Sequence, residues 1–288
     1  MTKTILITGA STGFGRDTAE TLAREGHQVF ASMRDPKGKN RKHAEALRDQ
    51  RIDVVELDVT DTKSVDRAVA TVVNKAGRID VLINNAGVAA AGVSEAFTPE
   101  QASALFDVNV IGPHRVTRAV LPHLRRHNDG LIINIGSILG RVTFPFFGLY
   151  GASKFAVEAL TDSLRYEVSQ LGIDVALVQP SAYPTNMYAS ATLPADTDRP
   201  EEYGSVGEIP GAMFAQFNTM LSAADAPDPH DIAQAIAEII ASPKGARPAR
   251  TVVGASYGAD SLNDATAPVQ AGVVEALGLG HLETVRAG

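Results

Sequence analysis

A short apolar run, Thr4-Ile-Leu-Ile-Thr8, leads directly into Gly9-Ala-Ser-Thr-Gly13-Phe-Gly15. An amphipathic segment follows to about Glu25 and stops at Gly26, and a second β-rich run fills 28–33. Strand, glycine turn, helix and strand in that order make a β-α-β unit, which commits the chain to a parallel sheet. Glycines at a strand-to-helix turn let the backbone approach a pyrophosphate. The helix start adds free N–H groups and the positive end of its dipole. The spacing is Gly-x-x-x-Gly-x-Gly rather than the commoner Gly-x-Gly-x-x-Gly, with the same mechanics. Gly9, Ser11, Gly13, Phe14 and Gly15 are the candidate contacts on that side of a dinucleotide.

The second strand bears on which dinucleotide. An NAD site wants an acid about 20 residues on, to hold the ribose 2′-hydroxyl, and Asp35 satisfies that count from Gly15. The strand should end near Ser32 or Met33, however, which puts Met33 where the acid would sit and Arg34 directly after it. Lys37, Lys39, Arg41 and Lys42 add a basic neighbourhood that reads otherwise as a solvated loop. Guanidinium suits a 2′-phosphate, and Asp35-Pro36 has the character of a turn. NADP(H) is therefore expected over NAD(H).

Further strands are expected at 53–57, 80–84, 131–135, 174–178 and 251–253, with helices at about 62–75, 99–126, up to about 170, and 229–241. Continuous apolar runs such as Val81-Leu82-Ile83 suit strands buried on both faces. Asp58-Val59 and Asn84-Asn85-Ala86-Gly87 stand at strand ends on the side where open α/β sheets bind ligands. Asn109 lies amid Phe106, Val108, Val110 and Ile111 and needs a partner if buried. The long helix carrying it is interrupted at Gly112-Pro113. His123 and His127 have no Glu between them as a zinc protease would require; with Arg125 and Arg126 they read as a cationic helix end.

Ser137 closes the fifth strand, and Tyr150-Gly-Ala-Ser-Lys154 opens the next helix. Residues four apart share one helix face. A cation held beside a phenol favours the phenolate and draws its pKa below the free value of about 10, giving an acid/base usable near neutral pH. Ser137 can bond the same substrate oxygen. Spacing alone is weak support, and the preceding unit supplies the context.

The 288 residues carry a formal charge of −7 and no cysteine. That leaves no electrostatic footprint for nucleic acid, no disulfide framework and no zinc–cysteine site. No uninterrupted apolar run approaches 18 residues, and the N-terminal run meets a glycine too soon for a signal-peptide core. A soluble cytoplasmic protein is expected, without a metal and without a membrane span.

Taken together, Thr8-Gly9-Ala-Ser-Thr-Gly13-Phe-Gly15, Asp58-Val59, Asn84-Asn85-Ala86-Gly87, Asn109, Ser137 and Tyr150-x-x-x-Lys154 resemble the short-chain dehydrogenase/reductase family. The match covers roughly residues 3 to 185. Phe106-Asp-Val-Asn109-Val-Ile-Gly112 and Tyr150-Gly-Ala-Ser-Lys154-Phe-Ala-Val-Glu158 resemble its hydroxysteroid and retinol dehydrogenase branch. The resemblance implies a Rossmann-type, doubly wound α/β fold: seven parallel strands in the order 3-2-1-4-5-6-7, with helices on both faces. It implies Tyr150 as acid/base, Lys154 lowering its pKa and holding the nicotinamide ribose, Ser137 orienting the substrate oxygen, and Asn109 fixing a water in the proton relay. Gly9, Gly13 and Gly15 would line the pyrophosphate, Asp58 and Val59 the adenine, Asn85, Ala86 and Gly87 the adenosine side. The family's Pro-Gly after strand 6 is Pro180-Ser181 here, which could reshape the nicotinamide pocket. Thr185 stands where a later cofactor-contacting Thr belongs.

One domain is expected over 1–288, with a substrate lid at 186–227 and a C-terminal extension at 254–288. Met213, Phe214, Phe217, Met220 and Leu221 fall on a helix-like stripe in the lid, for packing or for substrate. Val142, Phe144, Pro145, Phe146, Phe147 and Leu149 point to a hydrophobic substrate or to plain packing. The leading function is an NADP(H)-dependent alcohol dehydrogenase or carbonyl reductase, associating as a homodimer or homotetramer through the long helices as the family does. A non-catalytic NADP(H)-binding regulator, or an epimerase or dehydratase of the extended relatives, are the other readings.

Overall fold

The computed structural model describes residues 2–286, so Met1 and the last two positions of the 254–288 extension lie outside it. Its strands are β1 (Thr4–Ile7), β2 (Gln28–Met33), β3 (Asp53–Glu56), β4 (Val81–Asn84), β5 (Gly130–Ile135), β6 (Ile173–Pro180) and β7 (Arg250–Val253). All pair in parallel, in the order β3-β2-β1-β4-β5-β6-β7. The helices are α1 (Gly13–Arg24), α2 (Arg41–Asp49), α3 (Thr62–Ala76), α4 (Pro99–Phe106), α5 (Gly112–His127) and α6 (Gly148–Ser169). After β6 come α7 (Asn186–Ala189), α8 (Arg199–Glu202), α9 (Ser205–Leu221), α10 (His230–Ala241) and α11 (Ala259–Ala276).

Strands β1, β4, β5 and β6 are buried along their whole length, as the uninterrupted apolar runs require. Alternate side chains feed two cores. Ile5, Ile7 and Ile83 pack with Leu22 of α1, Leu47 of α2 and Ile236 of α10. Leu6, Leu82 and Ile132 pack on the other face with Val69 of α3 and Val120 of α5. The sheet therefore has a helical layer on each side. Its winding reverses between β1 and β4, and the strand ends there open a crevice.

Two local features depart from the expectations. Arg41 and Lys42 are not in a loop: they open α2, where Arg41 faces Glu45 one turn on. Ala44 and Leu47 give that helix two buried anchors in a mostly polar sequence, which hides it from a hydrophobic-period reading. The long helix is broken at Asp107–Ile111, a π-turn, rather than at Gly112-Pro113. Pro113 sits in the first turn of α5, where its missing N–H does no harm. Gly112 is needed because a side chain there would press on Val59 at 3.0 Å.

Candidate active site

The glycine turn is held from behind by the end of β4. Asn85 donates its side-chain amide to the carbonyls of Thr8 at 2.8 Å and Gly9 at 3.0 Å. Thr8 returns the tie: its Oγ1 accepts the Asn85 and Ala86 amides, each at 3.0 Å. This packing explains two of the three glycines. A Cβ on Gly9 would lie 2.8 Å from Ala86 Cα, and one on Gly15 would overlap the Asn85 amide. Gly13 differs, because a Cβ there would meet only Thr185, at 3.9 Å, and its φ of +57° is the reason for glycine.

In front of the turn lies a cavity of about 620 Å³, within the ordinary range for a ligand site. Gly9, Ser11, Gly13, Phe14 and Arg34 line one part of it, and Asp58, Val59, Asn85, Ala86, Gly87 and Thr185 the rest. Gly15 stands behind the turn and supports it. The cradle fits a dinucleotide: an open glycine turn at the start of α1 for a pyrophosphate, with side chains of both charges at the β2–β3 end.

That end carries both Arg34 and Asp35. Asp35 takes a φ of +45° and accepts the Lys39 amide on its carboxylate at 2.7 Å. Its carbonyl receives the amides of Gly38 and Asn40. The carboxylate is thus engaged by its own loop, and Arg34, Asp35 and Lys39 all line the cavity. Burial pushes the Asp58 carboxyl up, but two bonds from Thr60, with Arg34 and Arg115 nearby, outweigh it and hold the group below the usual carboxylate range.

At the other end, α6 carries Tyr150 and Lys154, both buried at 8% and 5% exposure. Lys154 Nζ donates to the Ile135 carbonyl at 2.9 Å and lies 5.6 Å from the centre of the Tyr150 ring. Burial lowers its pKa to about 8, against an opposing pull from Glu158. Ser137, also buried, follows β5, and its Oγ accepts the Leu139 amide at 3.1 Å. Asn109 arrives on the π-turn. Its amide clamps the Val88 backbone through both polar atoms at 2.9 Å and reaches Ser153 Oγ at 3.1 Å. Ser153 in turn donates to the Tyr150 carbonyl at 2.7 Å.

Ser153 is thus a site residue that the motif hides within its own spacing. Its signal is a polar side chain, fully buried, one turn from Tyr150. Gly87 completes the junction, since a Cβ there would lie 3.4 Å from Asn109 Oδ1 and 3.9 Å from Lys154 Nζ. Ser181 is accommodated by a neighbour: Gly254, at φ +85°, is the residue whose Cβ would meet Ser181 Cβ at 3.0 Å. Beyond Tyr150 an apolar cluster gathers Ala89, Ala91 and Phe147 with Phe144, Met213, Phe214 and Phe217.

The chain matches the family described as short chain dehydrogenase over residues 3–195. It is 42% identical over 199 residues to a 3-ketodihydrosphingosine reductase of Bacteroides thetaiotaomicron, covering 69% of this chain and 71% of that one. It is 32% identical over 256 residues to retinol dehydrogenase 8 of Homo sapiens, covering 83% and 78%. An alcohol dehydrogenase from the archaeon Thermococcus sibiricus, complexed with 5-hydroxy-NADP, superposes with a TM-score of 0.69 at 25% identity, covering 88% and 96%. The chain belongs to the short-chain dehydrogenase family, and it is an oxidoreductase.

Proposed function

We propose that the protein interconverts an alcohol and its ketone or aldehyde on a hydrophobic substrate, with NADP(H) preferred over NAD(H). The observation that carries this reading is the buried Lys154 beside Tyr150, tied to the end of β5 just before Ser137 and adjoining Gly87 of the dinucleotide cleft. A nicotinamide dinucleotide, when bound, supplies or accepts the hydride. Tyr150 gives the proton to the carbonyl oxygen in reduction and takes it from the alcohol in oxidation. Lys154 favours the phenolate that this exchange leaves, and its ammonium reaches the nicotinamide ribose. Ser137 holds the reacting oxygen from its second side. Asn109 acts through its clamp on Val88 and Ser153. The π-turn around it is the place for a relay water, because such a turn disturbs the regular helical ladder.

The preference for NADP(H) rests on Arg34, with Lys39 beside it, at the position a 2′-phosphate would take. Gly9, Ser11, Gly13 and Phe14 receive the pyrophosphate side, Asp58 and Val59 the adenine, and Asn85, Ala86, Gly87 and Thr185 the remainder. The 186–227 segment serves as a substrate lid, its α9 laying Phe214 and Phe217 over Phe147 with ring centres 6.2 Å apart. The apolar cluster around Tyr150 agrees with the Bacteroides relative, named for reducing 3-ketodihydrosphingosine. Ile111, at the end of the π-turn that leads into α5, and Leu160 on α6, exposed at 46% each, are where association of subunits is proposed.

The test is oxidation of NADPH and of NADH with a panel of ketones and aldehydes that includes 3-ketodihydrosphingosine and retinal. Turnover with NADPH in the wild type, and a loss of about 10²–10⁴-fold in kcat for Tyr150→Phe, are expected. Tight NADPH binding with no turnover on any substrate would favour the regulator reading instead.

A further inference from the structure

Glu158 lies one helical turn beyond Lys154 on α6 and is 4% exposed. A buried carboxylate demands partners, and this one has three, each from a different segment. Gln179 of β6 donates its amide at 2.5 Å, and Arg250 of β7 its Nε at 2.9 Å. Arg141 follows the turn that begins at Ser137 and stands 3.3 Å away. That turn also packs on the stem of Glu158: a Cβ at Gly140 would lie 2.9 Å from Glu158 Cγ. Gln179 passes the connection on, its Oε1 accepting the Asn263 amide of α11 at 2.7 Å.

One side chain therefore joins the helix of Tyr150 and Lys154, the turn of Ser137, the last two strands and the C-terminal helix. Lys154 is equally buried, and an ammonium in a dry site loses its proton readily unless a negative charge stands near. The charged groups around it are these: Glu158 and Asp162 on α6, Tyr150 on the same helix, Arg141 from the Ser137 turn and Arg250 from β7. Both carboxylates pair with Arg250, but Glu158 stands one turn beyond Lys154 and Asp162 two, which makes Glu158 the nearer carboxylate along the helix.

We propose that Glu158 is a positioning residue of the proton-transfer site. It holds the Lys154 and Ser137 turns in register from beneath, and it supplies the buried negative charge that keeps Lys154 an ammonium. The opposing pulls at Lys154, burial downward and Glu158 upward, agree with this role. At Glu158 itself burial pushes the carboxyl above the usual carboxylate range, against the pull of Arg250, Gln179 and Arg141 toward the charged form. The proposal rests on the oxidoreductase reading for its consequence, but its physical content is independent of turnover.

The experiment follows the titration of Lys154 by NMR in lysine-labelled, cofactor-free protein, with Lys154→Met assigning the signal. In Glu158→Gln the midpoint should fall by about one pH unit or more, as expected for loss of a unit charge within roughly 12 Å at an effective dielectric of about 20. Arg141→Met, which removes a cation from the edge of the network, should move the midpoint upward. It serves as the second variant should Glu158→Gln not fold. In the active enzyme, the alkaline limb of kcat/KM for Glu158→Gln should shift in step with the midpoint. An unchanged midpoint in Glu158→Gln, or a downward shift in Arg141→Met, would overturn the proposal whatever happens to kcat. If the wild type turns over no substrate, the proposed alcohol–carbonyl activity fails and the two midpoints still decide this one.

Discussion

The two walls of the cleft are held together by different forces. Behind the glycine turn, Asn85 and Thr8 exchange four hydrogen bonds with the facing backbone, and Gly9 and Gly15 leave no room for a side chain. Over Tyr150, the wall is Phe147, Met213, Phe214 and Phe217 in apolar contact. Besides those apolar contacts, the 186–227 segment is tied to the rest, among the described residues, by one isolated bridge, Ala90 to Thr192, and by polar contacts such as Gln101 to the Leu193 carbonyl and Arg199 to Glu95. Hydrogen bonds fix atoms to a few tenths of an ångström, whereas apolar contacts tolerate repacking at similar volume. A common cofactor needs the first kind of wall. A substrate that varies between relatives suits the second.

The comparison breaks most visibly at Gly15. In Gly15→Val the new side chain meets the Asn85 amide and the Gly9 carbonyl, both backed by fixed structure. NADPH affinity is expected to fall by about 100-fold or more, on the order of 3 kcal/mol, with a lower melting temperature. Fluorescence titration checks it, and a near-normal Kd would mean that this wall also yields.

Lys154 sharpens the comparison, because function there opposes stability. Its pKa falls from 10.5 to about 8 through burial, so the native state binds fewer protons than the unfolded chain between those values. The penalty on folding is fully present below about pH 8 and is lifted as pH rises toward 10.5. Lys154→Met should therefore be inactive yet more stable at pH 7, by about 3 kcal/mol less the lost bond to Ile135. The two melting curves should converge as pH approaches 10.5. A variant less stable than wild type at pH 7 would show that the Ile135 bond outweighs desolvation.

These contrasts also mark how far the residues can be read without coordinates. Tyr150, Lys154, Ser137 and Asn109 were legible as candidates because spacing and strand ends are local properties of the chain; Lys154 lies beside the Tyr150 ring, and Gly87 adjoins both Asn109 and Lys154. The reason for Gly15 was not legible: what it makes room for, Asn85, is 70 positions away. Glu158 and Gln179 were equally silent, since a buried hydrogen-bonded carboxylate is written in segments that only the sheet order brings together. The π-turn at Asp107–Ile111 was misplaced because Gly112-Pro113 is a stronger breaker by composition than by position.

At the β2–β3 end the cleft wall is set by charge rather than packing. Arg34→Ala should raise the KM for NADPH by about 1.5–3 kcal/mol, the worth of a lost charge-assisted bond, and leave the KM for NADH nearly unchanged. Equal effects on both cofactors would remove the 2′-phosphate role from Arg34 and reopen Asp35.

The smallest effect belongs to the lid. Phe217 meets Phe147 edge-on at 6.2 Å, and such a pair is worth about 0.5–1.5 kcal/mol beyond its buried area. Phe217→Leu keeps an apolar side chain in the cluster, so Met213 and Phe214 can close much of the space. The KM for a bulky apolar ketone should rise by about tenfold or less, a change of about 1.4 kcal/mol at most. If substrate packs against this wall, the effect should be small or absent for a short aliphatic ketone, and NADPH affinity should not move. A loss of kcat as deep as that of Tyr150→Phe would mean that Phe217 holds the reacting geometry itself. The lid would then belong with the hydrogen-bonded wall, and the distinction between a fixed cofactor side and an adjustable substrate side would fail.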